Sequence, residues 1–116
     1  MRPRLYHNPR CSKSRGTLEL LRERGVEPEI VPYLEQPLDA HRLAELHRKL
    51  GGDVRAMIRD GEPEFTELGL DDPTLSDQQL LAAVAKHPRL LQRPILEVGE
   101  RAAIGRPPEA VLDILP

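Results

Sequence analysis

The spacing of apolar positions changes along the chain, and each change marks an element. Residues 4–7, Arg-Leu-Tyr-His, alternate like a short strand that Pro9 ends. Residues 12–24 then carry Leu18 and Leu21 on one helical face, with Gly25 in the position where helices commonly stop. "PEIVPYL", residues 28–34, reads as a second strand, so the first third is β-α-β, the unit that joins two parallel strands. The middle is helical. Asp39 caps a helix bearing Leu43, Leu46 and Leu50, stopped by Gly51-Gly52, and Asp53 starts a shorter one through Val54, Met57 and Ile58. After a turn-rich stretch, Ser76 and Gln79 stand at capping-box spacing before Leu80, Leu81 and Val84, and His87-Pro88 closes that helix. Residues 94–104, "PILEVGERAAI", split into two short strands around Gly99-Glu100, a pair suited to a II′ hairpin turn. "RPPEAVLDIL" predicts a final helix, with proline allowed in its first turn.

This order makes an α/β chain, and 116 residues suffice for one domain over 1–116 with a modest core. Hydrophobic residues are 39% of the chain but aromatics only 3%, so Leu, Ile, Val and Ala must build that core. The twelve prolines fall between the periodic segments and act as punctuation. A net charge of −2 argues against a nucleic-acid protein held by a generally basic face. No apolar run approaches the roughly 20 residues of a membrane span, and no signal-peptide pattern opens the chain. One cysteine forms no internal disulfide, so a reducing cytoplasm is the expected compartment.

That cysteine, Cys11, lies in "YHNPRCSKSR" at the predicted junction of strand and helix. A helix N-terminus offers unpaired N–H groups and the positive end of the dipole, and both favour a thiolate. In such settings a thiol pKa near 8.5 falls to roughly 3.5–7.5. Arg10, Lys13 and Arg15 add positive charge, and Ser14 is placed to donate a hydrogen bond to the sulfur. The competing reading is a buried structural cysteine, which the polar neighbours on both sides disfavour. His7 is either a partner of the thiol or a strand-end residue with a solvated ring. Metal binding is not expected: Cys11 has no second cysteine, and His41, His47 and His87 lack ligand spacing. No Gly-rich phosphate loop is present. Arg59, Arg93 and Arg106 fall at element boundaries, where side chains from separate segments can converge. A guanidinium fork suits a tetrahedral oxyanion, although each arginine reads equally well as a solvated surface charge.

"YHNPRCSKSR", "VRAMIRDGEPEFTELGL", "HPRLLQRPILEVGERAAIGRPPE" and "VLDILP", in that order, closely resemble the glutaredoxin-coupled arsenate reductase family, from Leu5 to Pro116. The resemblance implies a thioredoxin-like fold: a four-stranded mixed sheet with flanking helices and an inserted helical segment at about residues 38–88. Its first two strands would be parallel, its last two an antiparallel hairpin, and Pro94 would follow a cis peptide. Cys11 matches the family's nucleophile, Arg59, Arg93 and Arg106 its oxyanion-binding arginines, and His7 and Ser14 the residues that assist the thiolate. The implied activity is reduction of arsenate to arsenite through an arseno-cysteine adduct, resolved by glutathione and glutaredoxin. It implies no bound cofactor, with glutathione as co-substrate and glutaredoxin as protein partner, while charge and hydropathy lead to the expectation of neither nucleic acid nor membrane. With one cysteine, the electrons must come from an external thiol. This chain differs from well-characterised enzymes of the type in Arg10 and Lys13 beside the thiol and in a shorter C-terminal tail.

Two other readings stand beside this one. The same scaffold suits a thiol or oxyanion reductase with another substrate. A related thioredoxin-like family instead regulates transcription through a C-x-x-C switch, which Ser14 in place of a second cysteine makes impossible here.

Overall fold

The computed structural model describes Arg2 to Leu115 and divides the chain into two compact units. One comprises the residues up to Gln36 together with those from Arg93 on, and the other is Pro37–Gln92.

The first unit holds the sheet. Strand β1 (Arg4–Tyr6) leads into helix α1 (Ser12–Glu23), strand β2 (Glu29–Val31) follows, and β3 (Ile95–Val98) and β4 (Arg101–Ile104) come from the far end of the chain. The order across the sheet is β2-β1-β3-β4, with β1 parallel to β2 and antiparallel to β3, and β3 antiparallel to β4. Leu5 pairs with Leu96, which pairs with Ala103, so these three share one face. Leu5 and Leu96 are fully buried there with Leu21 of α1 and with Val111 and Ile114 of the C-terminal segment. The hairpin pairs Val98 with Arg101 around Gly99, whose φ of 58° fits the glycine position of a II′ turn.

Two elements of this unit differ from expectation. The second strand covers only Glu29–Val31, because Pro32 has no N–H for the ladder and its carbonyl accepts from Glu35 and Gln36, forming a turn. The last helix, Pro108–Ile114, winds as 3-10 rather than α. Its i→i+3 bonds, Ala110 to Pro107 and Leu115 to Leu112, bracket a start in which two successive prolines supply no donor. The Arg93–Pro94 peptide is cis, as the resemblance implies, and Arg106–Pro107 is cis as well.

The second unit is the inserted helical segment. Helix α2 (Ala40–Leu50) is capped by Asp39, whose carboxylate accepts the Arg42 N–H at 2.7 Å. A 3-10 turn (Val54–Met57) and a short helix α3 (Pro63–Glu67) follow. Helix α4 (Asp77–Lys86) begins with both bonds of the Ser76–Gln79 capping box. Helix α3 lies in the stretch read from sequence as turns; five residues are too few for a hydrophobic period to show. The segment also runs past residue 88. Leu91 bridges Ile58, the Leu90 carbonyl accepts the Arg59 N–H, and the Gln92 N–H donates to Met57. Leu43, Leu46, Met57, Leu80, Val84, Leu90 and Leu91 form the buried side of this unit.

Candidate functional site

The loop from His7 to Cys11 is held by hydrogen bonds of its own and by others from β2 and α1, the first being His7 N–H to the Val31 carbonyl at 3.0 Å. The Asn8 side chain accepts the Arg10 N–H at 3.0 Å, and its carbonyl accepts the Cys11 N–H at 3.0 Å. Asparagine favours this arrangement because its short amide oxygen reaches the backbone two residues on. From α1, Ser14 Oγ accepts the Asn8 N–H at 3.0 Å, and Arg15 donates to the Pro9 carbonyl at 3.0 Å. Cys11 is thereby set at the N-cap of α1, with φ −92° and ψ 124° and no hydrogen bond from its side chain to the helix. The first α1 amides thus lack a side-chain cap from the position that usually supplies one.

Cys11 Sγ accepts from Arg106 Nη2 at 3.7 Å. Arg106 is itself held, because its Nε donates to the Arg93 carbonyl at 2.8 Å. Both Arg93 and Arg106 are partly buried, and Cys11 is 9% exposed. The thiol is therefore more enclosed than its polar neighbours suggested, yet a cation faces it. A guanidinium and the positive end of the α1 dipole thus both lie beside the sulfur.

A glycine makes this approach possible. A Cβ on Gly105 would lie 2.6 Å from Thr17 Oγ1 and 2.8 Å from Pro94 Cγ. Thr17 is fixed in α1 by donating to the Lys13 carbonyl at 2.8 Å, and the Gly105 N–H donates to the Pro94 carbonyl at 2.9 Å. The chain just before Arg106 thus lies directly against the helix that begins at Cys11.

His7 and Ser14 form a buried pair, with Ser14 Oγ 2.7 Å from His7 Nδ1. The ring is buried, which corrects the expectation of a solvated ring as one of its two readings. Burial first, and then the charges of Arg22 and Arg15, push the His7 pKa below the usual histidine value. Its ring is therefore neutral at neutral pH. Ser14 meets His7 and Asn8 rather than the sulfur.

Arg59 belongs to the Pro37–Gln92 unit and follows the 3-10 turn rather than ending a helix. Its Nη1 is ion-paired with Glu62 Oε1. The other Glu62 oxygen accepts from Arg89 Nη2 at 3.1 Å, and Arg89 Nη1 lies 3.8 Å from Glu64 Oε2. Of the residues singled out from sequence, the structure joins Cys11 to Arg106, Arg106 to Arg93, and His7 to Ser14. Asn8, Thr17, Gly105 and Glu62 were not singled out. The Asn-Pro pair before the cysteine signalled the turn. Glu62 stands three residues after Arg59, a spacing at which opposite charges can pair, whereas nothing local signalled the close approach at Gly105 or the sharing of Glu62 with Arg89.

Comparison with known proteins places this chain in a family. The model of the ArsC family matches residues 6–114. Protein YfgD of Escherichia coli K12, described as uncharacterized, is 50% identical over 97% of this chain and 95% of its own length. An arsenate reductase of Neisseria meningitidis (strain Z2491) is 47% identical, with 97% of each chain covered. That relative is thus of nearly this chain's length, unlike the longer enzymes from which the sequence departs. A solved structure, the arsenate reductase from Vibrio cholerae, superposes with a TM-score of 0.96 at 47% identity, covering 99% of this chain and 98% of that one. With the motifs in order and the fold shared over nearly its whole length, the chain belongs to the ArsC family.

Proposed function

We propose that this protein is an oxidoreductase that reduces arsenate to arsenite, with Cys11 as nucleophile. The observation that carries this reading is the sulfur at the start of α1, facing an arginine that is anchored on the Arg93 carbonyl. Relatives named arsenate reductase at 47% and 46% identity support the substrate. Arg59, Arg93 and Arg106 bind the oxyanion, offering paired N–H donors that offset its charge as an anionic sulfur approaches. His7 and Ser14 hold the loop that presents the sulfur.

The reaction closes its balance with external thiols. Cys11 thiolate attacks As(V), an S–As bond forms, and an oxygen leaves as water. Glutathione adds to the adduct in the same way. Glutaredoxin thiolate then attacks the glutathione sulfur. An S–S bond forms between them, and the electron pair of the broken S–As bond passes to arsenic, which becomes As(III). Water releases arsenite and returns Cys11 as thiolate. A reducing cytoplasm, rich in such thiols, is the compartment this chemistry needs. Among the described residues no helix is long and apolar enough to cross a membrane.

The test is a coupled assay with glutathione, glutaredoxin, glutathione reductase and NADPH. Arsenate-dependent NADPH loss is expected in the native protein, with none in Cys11→Ser and a loss of at least about tenfold in kcat/KM for Arg93→Ala. Turnover of glutathione mixed disulfides with none of arsenate would move the assignment to another thiol reductase. Absence of both would refute catalysis.

A further inference from the structure

The Arg59 ion pair has a feature that oxyanion binding does not explain. Glu62 is only 13% exposed at its side chain, and its two oxygens are shared between two guanidinium groups, Arg59 on one and Arg89 on the other. Arg89, 63% exposed at its side chain, also lies within ion-pair distance of Glu64. Two arginines and two glutamates make a group of zero net charge, which in itself draws no anion. A carboxylate this buried is costly to leave unpaired, but Arg89 keeps it paired if Arg59 turns away.

We propose that Glu62 is an internal competitor for Arg59. The carboxylate occupies a guanidinium donor that an incoming oxyanion needs, and Arg89 takes over Glu62 when Arg59 is given up to the substrate. Glu62 thereby sets how tightly the site holds its oxyanion, and Arg89 sets how readily Glu62 lets go. This rests on the reading of Arg59 as an oxyanion-binding residue.

The test uses calorimetric titration of arsenate into the full chain without thiols, together with KM and kcat in the coupled assay. Glu62→Gln keeps the shape and removes the charge, and should lower the arsenate Kd and KM about three- to tenfold with kcat little changed. Arg89→Gln leaves Arg59 as the sole partner of Glu62 and should raise both constants about two- to fivefold. In an Arg59→Ala background, Glu62→Gln should have no effect on Kd. Weaker arsenate binding in Glu62→Gln, or tighter binding in Arg89→Gln, would overturn the proposal; the first result would make Glu62 a residue that orients Arg59 instead. Arsenate binding unchanged in Arg59→Ala would instead refute the role of Arg59 on which the proposal stands. Thermal melts of each variant separate binding changes from misfolding, and Arg89→Gln, at an exposed position, keeps the test open if Glu62→Gln does not fold.

Discussion

Gly105 and His7 are the residues whose surroundings make the sharpest demands. Adding one methyl at Gly105 forces it against Thr17 Oγ1 and Pro94 Cγ, neither of which has room to retreat without moving α1 or the start of β3. Gly105→Ala should therefore cost about 1–3 kcal/mol, read as a lowered urea midpoint with unchanged m. The cost should also appear as lost activity, because Arg106 is the next residue. His7 carries a pH dependence. Its folded pKa is lowered, so between the unfolded value of 6.5 and the lower folded value the unfolded chain binds more protons. Stability should then rise with pH through that window. It should fall on acidification below about 6.5 and level off once His7 protonates in the folded state. Measured from pH 5 to 8, the stability difference between the native protein and His7→Gln should follow that curve, and a difference independent of pH would contradict a buried neutral ring. Ser14 shows what single positions conceal: read in isolation it was a donor for the sulfur, but its hydroxyl lies on His7 and Asn8.

The helices divide by how they begin. Helices α2 and α4 start with a carboxylate or hydroxyl on the backbone, at Asp39 and Ser76, and both caps were readable because a cap is a relation between residues three apart. Helix α1 begins at a cysteine that makes no such bond. The two starts should respond to substitution in opposite ways. Ser76→Ala should destabilise by about 0.5–2 kcal/mol, whereas Cys11→Ser, which offers α1 the hydroxyl cap it lacks, should leave stability unchanged or raise it by up to about 1 kcal/mol while abolishing activity. Chemical denaturation of both variants checks this, and a large loss in Cys11→Ser would mean that the sulfur is held for packing. What sequence reading missed lay where elements are too short or too proline-rich for a period to settle: the early end of β2, the five-residue α3, and the 3-10 winding of the final helix Pro108–Ile114.

At the scale of the whole molecule, one thiol limits the electrons available. Reducing arsenic from the +5 to the +3 state oxidises two thiols, and each chain holds one. Protein mixed with arsenate in the absence of any other thiol, without oxygen, should yield no more than half an arsenite per chain, and only together with disulfide-linked pairs of chains. A full equivalent per chain would refute the scheme of external thiols. The order of the strands and of every helix but α3, the two caps, the hairpin and the place of Cys11 at a helix start were already written in the chain. Each depends on neighbours within a few positions, and over that range backbone propensity and hydrophobic period act without outside help. Tertiary structure alone decided that Arg106, 95 residues away, faces the sulfur, that Gly105 fits against Thr17, and that Arg89, 27 residues from Glu62, shares the carboxylate that pairs with Arg59. Those contacts form only when sheet pairing and core burial bring remote segments together, and no local preference encodes the distance between them.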